Sequence, residues 1–429
     1  MPGIIIGEKN FPRIGESLSG TTLSNGLDVF AIKKPDFNKT YAFFAVNYGS
    51  IDSTFTKDGT KIETPDGVAH FLEHKMFDMK DYNALQEFVR NGASPNAFTS
   101  SSMTAYHFEC TDNFEKNLEI LLDFVSTPYF TRESVCKEQG IIGQEIRMSE
   151  DSPGWMGYNN LLMAMYENHP VRRSIVGTTD SIAKIDADML YACHRVFYTP
   201  SNMALCVSGK VEPEAVAEIA ERILPKEKDP PVGRGYGLEN HGAAFCHRIE
   251  IPMEVSMSVM LLGFKNSPAE NGEAFLRREL LADLAIEALC GPSSPLYARL
   301  YGAGLINRGF SAGYSSFSGG GCMIISGDSP DPDRVREEIL IEAGRAAAEG
   351  FDKGVFARLK NAAYGTRLRM LDALDDLCHI CTEYHFHGAE FFDFPSIYDT
   401  ISENDAAEYI GGNIIFERSA LSVIRPSHT

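Results

Sequence analysis

Three side chains in the first fifth of the chain stand at a spacing that does chemistry. Within Gly67-Val-Ala-His-Phe-Leu-Glu-His-Lys-Met-Phe77, His70, Glu73 and His74 spell His-x-x-Glu-His. On a helix His70 and His74 sit at i and i+4, so both imidazoles project from one face about a turn apart. That is the spacing two ligands of one metal ion need. Glu73 lies beside His74 and three residues after His70, close enough to act on a water at such a metal. Two histidines are not a complete centre, because a hydrolytic metal takes three protein ligands and keeps one position open. Glu138 and Glu145, in the stretch Val135-Cys-Lys-Glu-Gln-Gly-Ile-Ile-Gly-Gln-Glu145, supply candidates. They are seven residues apart, two helical turns, which puts both carboxylates on one face. By spacing alone, either could ligate while the other accepts a hydrogen bond from a ligating imidazole.

The elements that must carry these groups are legible in the surrounding pattern. Asp66 is the expected N-cap of the motif helix, and Val68, Phe71, Leu72 and Phe77 form an apolar stripe that buries its histidine side. Buried histidines need partners, and a metal is one answer. Asn25-Gly26 between apolar runs marks a hairpin, and Tyr41–Val46 reads as a strand. Ser94–Thr99 and Met103–Cys110 read as a strand pair. Helices follow over 113–126, 132–149, 155–167 and 187–197, then a strand at 202–208 and a helix from Pro213 to Leu224. Residues 225–241 begin as a linker rich in Pro, Gly and charge. The second half repeats the order of strands, then helices, then a closing strand at 420–424. The expected fold is therefore α+β, with two similar tandem domains at 1–224 and 242–429. Each would be a mostly antiparallel sheet with helices packed on one face.

At 429 residues the chain can bury large cores, and a net charge of -20 argues against nucleic acid or an anionic membrane as partner. No apolar run reaches the length of a membrane span, so a cytoplasmic protein is expected. The nine cysteines lie mostly in apolar stretches (Cys110, Cys193, Cys206, Cys322) and read as reduced core thiols. Cys378-His-Ile-Cys381, followed by His385 and His387, falls in one continuous helix, whereas a structural zinc draws ligands from separate segments. The Ser318-Gly-Gly-Gly321 run reads as a turn between strands, not a phosphate cradle.

Taken together, Gly67–Phe77, Asn96-Ala-Phe-Thr99 and Lys137–Glu145 resemble the pitrilysin or insulinase family of inverzincin zinc peptidases, and the short bacterial members most of all. The resemblance covers essentially the whole chain. It implies one Zn2+ per chain held by His70, His74 and Glu145, with Glu73 as general base and Glu138 as an outer carboxylate. It also places Asn96 beside the substrate backbone, where the residue type alone reads as a turn after Pro95. The activity implied is hydrolysis of short or unstructured peptides.

The second half departs from the family pattern. Active relatives carry an Arg and a Tyr, seven residues apart, that reach the substrate. In Ser293–Asn307, Tyr301 stands where the Arg is expected and Asn307 where the Tyr is expected, and Arg299 is two residues out of register. Some bacterial members divide the zinc site and the Arg/Tyr pair between two chains. The resemblance thus implies a zinc-bearing subunit paired with a similar chain lacking the motif, a heterodimer, or else a homodimer. The alternative is a non-catalytic peptide-binding or scaffold subunit, which the intact His70, Glu73, His74 and Glu145 oppose.

Overall fold

Thr40–Val46 is buried at every position, as a central strand covered on both faces must be. Around it the computed structural model, which describes residues 5–57, 59–227 and 232–427, builds a seven-stranded sheet. Its order is Gly7–Phe11, Glu16–Thr22, Asp28–Lys33, Met203–Gly209, Thr40–Val46, Thr104–Cys110 and Ala93–Thr99. Every pairing is antiparallel except that of Asp28–Lys33 with Met203–Gly209. The expected hairpin turns at Asn25-Gly26, where the Asn25 side chain accepts from Leu27 N–H. A small sheet, Gly233–Arg234 with Thr54–Lys57 and Thr60–Glu63, was not foreseen.

The second half builds a five-stranded sheet in the order Arg248–Met253, Ser419–Pro426, Val259–Asn266, Gly320–Asp328, Ser311–Phe317. Here the first strand, Arg248–Met253, takes the place of Asp28–Lys33 and runs parallel to the last strand of its half, and all other pairings are antiparallel. The last five strands of the first sheet follow the same order. The duplication expected from element order is thus a duplication of topology. Two helices of the second half, Phe394–Thr400 and Glu403–Asn413, escaped the sequence reading.

The compact units do not coincide with the contiguous halves. One consists of Met1–Ile146, Ser174–Gly235 and Leu368–Phe386; the other of Arg147–Arg173, Tyr236–Arg367 and His387–Thr429. The chain passes between them at Gly235/Tyr236, inside the stretch 225–241, of which residues 228–231 lie outside the described residues. The expected boundaries at 224 and 242 are not the limits of these compact units. Each half sends one helix to the other half's sheet.

In the first unit, strand alternation sorts the side chains onto two faces. Tyr106 and Phe108 meet Phe124, Phe88 and Phe114 of that half's own helices. His107 and Phe43 point the other way, and Phe43 stacks on His379 of the helix Leu374–Phe386. In the second unit, the helix Pro153–Met165 packs on Val259–Asn266 and Ser419–Pro426. That approach needs glycine on both sides. A Cβ on Gly157 would meet Leu261 Cδ1 at 2.6 Å, and one on Gly263 would meet Met165 Sδ at 2.5 Å. Among the described residues no helix is long and apolar enough to cross a membrane.

Candidate metal centre

The motif helix, Val68–Met76, starts without the expected Asp66 cap. Gly67 is the N-cap residue, at φ 92°, and a Cβ there would lie 2.8 Å from Val176 O. Only glycine suits that combination of left-handed backbone and close approach. Asp66 instead offers its carbonyl to Ser181 Oγ at 2.8 Å. The apolar stripe is buried as expected, with Val68, Phe71 and Leu72 in the core. His70 and Glu73 go in with it, while His74 is partly exposed.

The helix Arg132–Glu150 brings up the carboxylates. Val135, Ile142 and Ile146 anchor its buried side, and Gln139 Nε2 donates to the carbonyls of Ile182 and Ile185 at 3.3 and 3.0 Å. Glu138 and Glu145 lie together along one edge of that buried side, in step with Val135 and Ile142. Glu145 Oε1 lies 3.4 Å from His70 Nε2, and its Oε2 lies 3.5 Å from His74 Nε2. Glu138 Oε1 lies 3.0 Å from the other ring nitrogen, His74 Nδ1. The two imidazoles are 4.5 Å apart by ring centroids.

These distances can be held against what a metal needs. Bonds of about 2.1 Å in tetrahedral geometry place neighbouring donor atoms about 3.4 Å apart. Each imidazole Nε2 has a Glu145 oxygen near that spacing, Oε1 for His70 and Oε2 for His74. One donor atom each from His70, His74 and Glu145 lies within 4.8 Å of the others, and no other such group of His, Cys, Asp or Glu is found among the described residues. Charge agrees with geometry. Glu138 and Glu145 converge on two imidazoles, and among the described residues no lysine or arginine pairs with either of them. Clustered carboxylates in a largely buried site call for a cation. The donor set fits a divalent metal.

The titration shifts follow from the same contacts. The bond with His70 holds the Glu145 carboxyl below its ordinary range, against the opposing effect of burial. Burial alone would pull His74 down, but the Glu138 bond and the charges of Glu73, Glu145 and Glu138 outweigh it and raise its pKa. His70 Nδ1 is buried and finds no hydrogen-bond partner among the described residues.

Glu73 is turned to a different element. Its Oε2 accepts a hydrogen bond from Thr99 Oγ1 at 2.6 Å. Thr99 ends the strand Ala93–Thr99, which lies at the edge of the sheet and pairs only with Thr104–Cys110. Sequence reasoning missed this residue, since nothing in a strand pattern says which hydroxyl meets a helix 26 positions upstream. Asn96 is exposed on the same edge strand, and its side-chain oxygen accepts from Ala97 N–H at 2.9 Å. No hydrogen bond among the described residues joins Asn96 to the two histidines.

In the second unit, Arg299 is tied to Glu342 at 2.7 Å, a buried carboxylate that also holds Arg345. Tyr301 is exposed, and Asn307 donates to Asp328 at 2.9 Å. Cys378 and Cys381 are buried thiols on the helix that crosses to the first unit. His385 pairs with Asp28 at 3.0 Å, and His387, in the second unit, stacks on Phe275.

A repeated α+β topology with His-x-x-Glu-His on the first helix after the central strand, and a third donor three helices on, defines a class of metal-binding hydrolase folds. Residues 55–179 match the family described as Insulinase (Peptidase family M16), and residues 184–363 match Peptidase M16 inactive domain. The Bacillus subtilis (strain 168) protein named "Uncharacterized zinc protease YmfH" is 40% identical over 97% of this chain and 98% of its own length. A crystal structure of an M16-like peptidase from Alicyclobacillus acidocaldarius is 33% identical over 96% of this chain and 99% of that one, with a TM-score of 0.92. A mitochondrial-processing peptidase subunit beta of Arabidopsis thaliana is 27% identical over 52% of this chain and 42% of its own length. The chain belongs to peptidase family M16.

Proposed function

We propose that this protein is a zinc metallopeptidase that hydrolyses short or unstructured peptides as the zinc-bearing member of a two-chain assembly. The observation that carries this reading is the convergence of His70, His74 and Glu145 donor atoms. The names of its relatives as zinc proteases support the choice of metal. One zinc per chain is held by His70, His74 and Glu145, with Glu138 orienting His74 through Nδ1. Bound there, zinc supplies a Lewis acid with one position open.

The rest is done by the chain. An extended peptide adds to the free edge of Ala93–Thr99, its backbone held by main-chain hydrogen bonds and by Asn96. Glu73, hydrogen-bonded to Thr99 at the end of that strand, takes the proton of the attacking water and passes it to the departing amine. His70 and Glu73 are buried, so the reacting atoms meet a site of low polarisability in which each charge acts strongly. Arg299 is two residues out of register with the family's Arg and is paired with Glu342. A partner chain of similar fold supplies the missing Arg and Tyr, and the isolated chain is weakly active.

Metal analysis and cleavage of a quenched, unstructured peptide with and without chelator test the reading. One equivalent of zinc and chelator-sensitive cleavage, strengthened by the partner chain, are expected. A chain that binds no zinc, or cleavage indifferent to chelator, would overturn it.

A further inference from the structure

Glu73 is the long side chain on which the proposed reaction turns, and three freely rotating bonds separate its carboxylate from the helix. Ordering such a side chain costs rotamer entropy, and a misplacement of about 1 Å costs about 100-fold in rate. Something must hold it. The motif helix cannot, because it supplies only the Cα. Neither His70 nor His74 does so: His70 Nε2 and both nitrogens of His74 face Glu145 or Glu138, and His70 Nδ1 has no hydrogen-bond partner among the described residues. Among the described residues, the one hydrogen bond found for the Glu73 carboxylate comes from the Thr99 hydroxyl, at 2.6 Å to Oε2.

We propose that Thr99 is the positioning residue of Glu73. Its hydroxyl donates to Oε2, fixes the carboxylate plane and leaves Oε1 free for the proton. A hydroxyl-to-carboxylate bond of this length is charge-assisted, hence among the stronger hydrogen bonds a side chain makes. Thr99 is β-branched, so its own rotamer is stiff, and it stands on a strand rather than a loop. It also lies on the edge strand that the peptide is proposed to join. Base and peptide backbone are therefore held from one strand, and the distance between them is set by strand geometry. This inference rests on the peptidase reading above.

The test compares the full-length parent, Thr99→Val, Thr99→Ser and Glu73→Gln, each loaded with zinc. Valine keeps the shape and strand preference of threonine and removes only the donor; serine keeps the donor. Three readouts are taken: bound zinc with thermal stability, the position of the Glu73 carboxylate in crystals, and kcat and KM on the quenched peptide with the partner chain added. Thr99→Val is expected to keep its zinc and its melting temperature while Glu73 leaves its place beside residue 99. Its kcat should fall about 10- to 100-fold with KM changed less than about twofold, and Thr99→Ser should recover to within about threefold of the parent. A Glu73 carboxylate unmoved in Thr99→Val, or a serine variant as slow as valine, overturns the proposal. Failure of the parent to hold zinc would instead sink the peptidase reading, since the Glu73 position is read from the crystal whether or not the chain cleaves.

Discussion

Glu138 Oε1 lies 3.0 Å from His74 Nδ1, while Glu145 Oε2 lies 3.5 Å from Nε2 of the same ring. The imidazole is thus gripped from both ends, and the bond to Glu138 places the proton on Nδ1 and the lone pair on Nε2. Ring orientation and basicity both depend on such a carboxylate. Glu138→Ala should lower zinc affinity about 10- to 100-fold without removing a ligand. Competition against a chelator of known affinity measures this, and equal affinities in parent and variant would refute the role.

Glu73→Gln should retain one zinc per chain and lose hydrolysis by about 100- to 10,000-fold, because the amide cannot accept the proton. His74→Ala should lose the metal along with activity. Zinc content and peptide cleavage measured on both variants separate the two roles. Parent-like cleavage by the Gln variant would disprove the assignment of Glu73.

In the second unit, Lys265 Nζ and Glu239 Oε1 pair at 2.5 Å, with 1% and 2% of their side chains exposed. Burial alone would raise the Glu239 pKa, but the Lys265 bond and the N–H groups of Asn168, His169 and Glu167 hold it down at about 2. Lys265→Met strands a buried carboxylate and should destabilise by about 3–5 kcal/mol. A denaturant midpoint matching that of the parent would show the pair to be dispensable.

Burial pushes His107 and His194 in the first unit, and His169 and His387 in the second, down to about 4. Unfolded histidines take up a proton near pH 6.5, whereas these stay neutral until about pH 4. The unfolded chain therefore binds more protons between those values, and stability falls as pH drops through that window. Thermal midpoints recorded from pH 7 to 4 should decline throughout. A flat profile would mean that these imidazoles are charged in the folded state.

How far the chain could be read without coordinates depends on the range of each interaction. The central strand at 41–46, the hairpin turn at Asn25-Gly26 and the helix carrying His70 and His74 follow from neighbours a few positions away, and each stands where its pattern put it. The start of the motif helix did not follow. Asp66 has the right chemistry for a cap, but Gly67 takes that place because the backbone of Val176 passes 2.8 Å from where a Cβ would be. Nor could a repeat of strands and helices reveal that Leu374–Phe386 lies on the first sheet and Pro153–Met165 on the second. An apolar helix face reads the same whichever sheet it covers.

The sequence by itself determined that two imidazoles share a helix face and that two carboxylates share another, because helical periodicity is a local property of the backbone. Only the tertiary structure decided that Glu145 faces Nε2 of both rings, that Glu138 takes the far side of His74, and that Thr99 holds Glu73. Those contacts join residues 26 to 75 positions apart, and packing of buried side chains such as Ile142 and Ile146 sets them, not spacing along the chain.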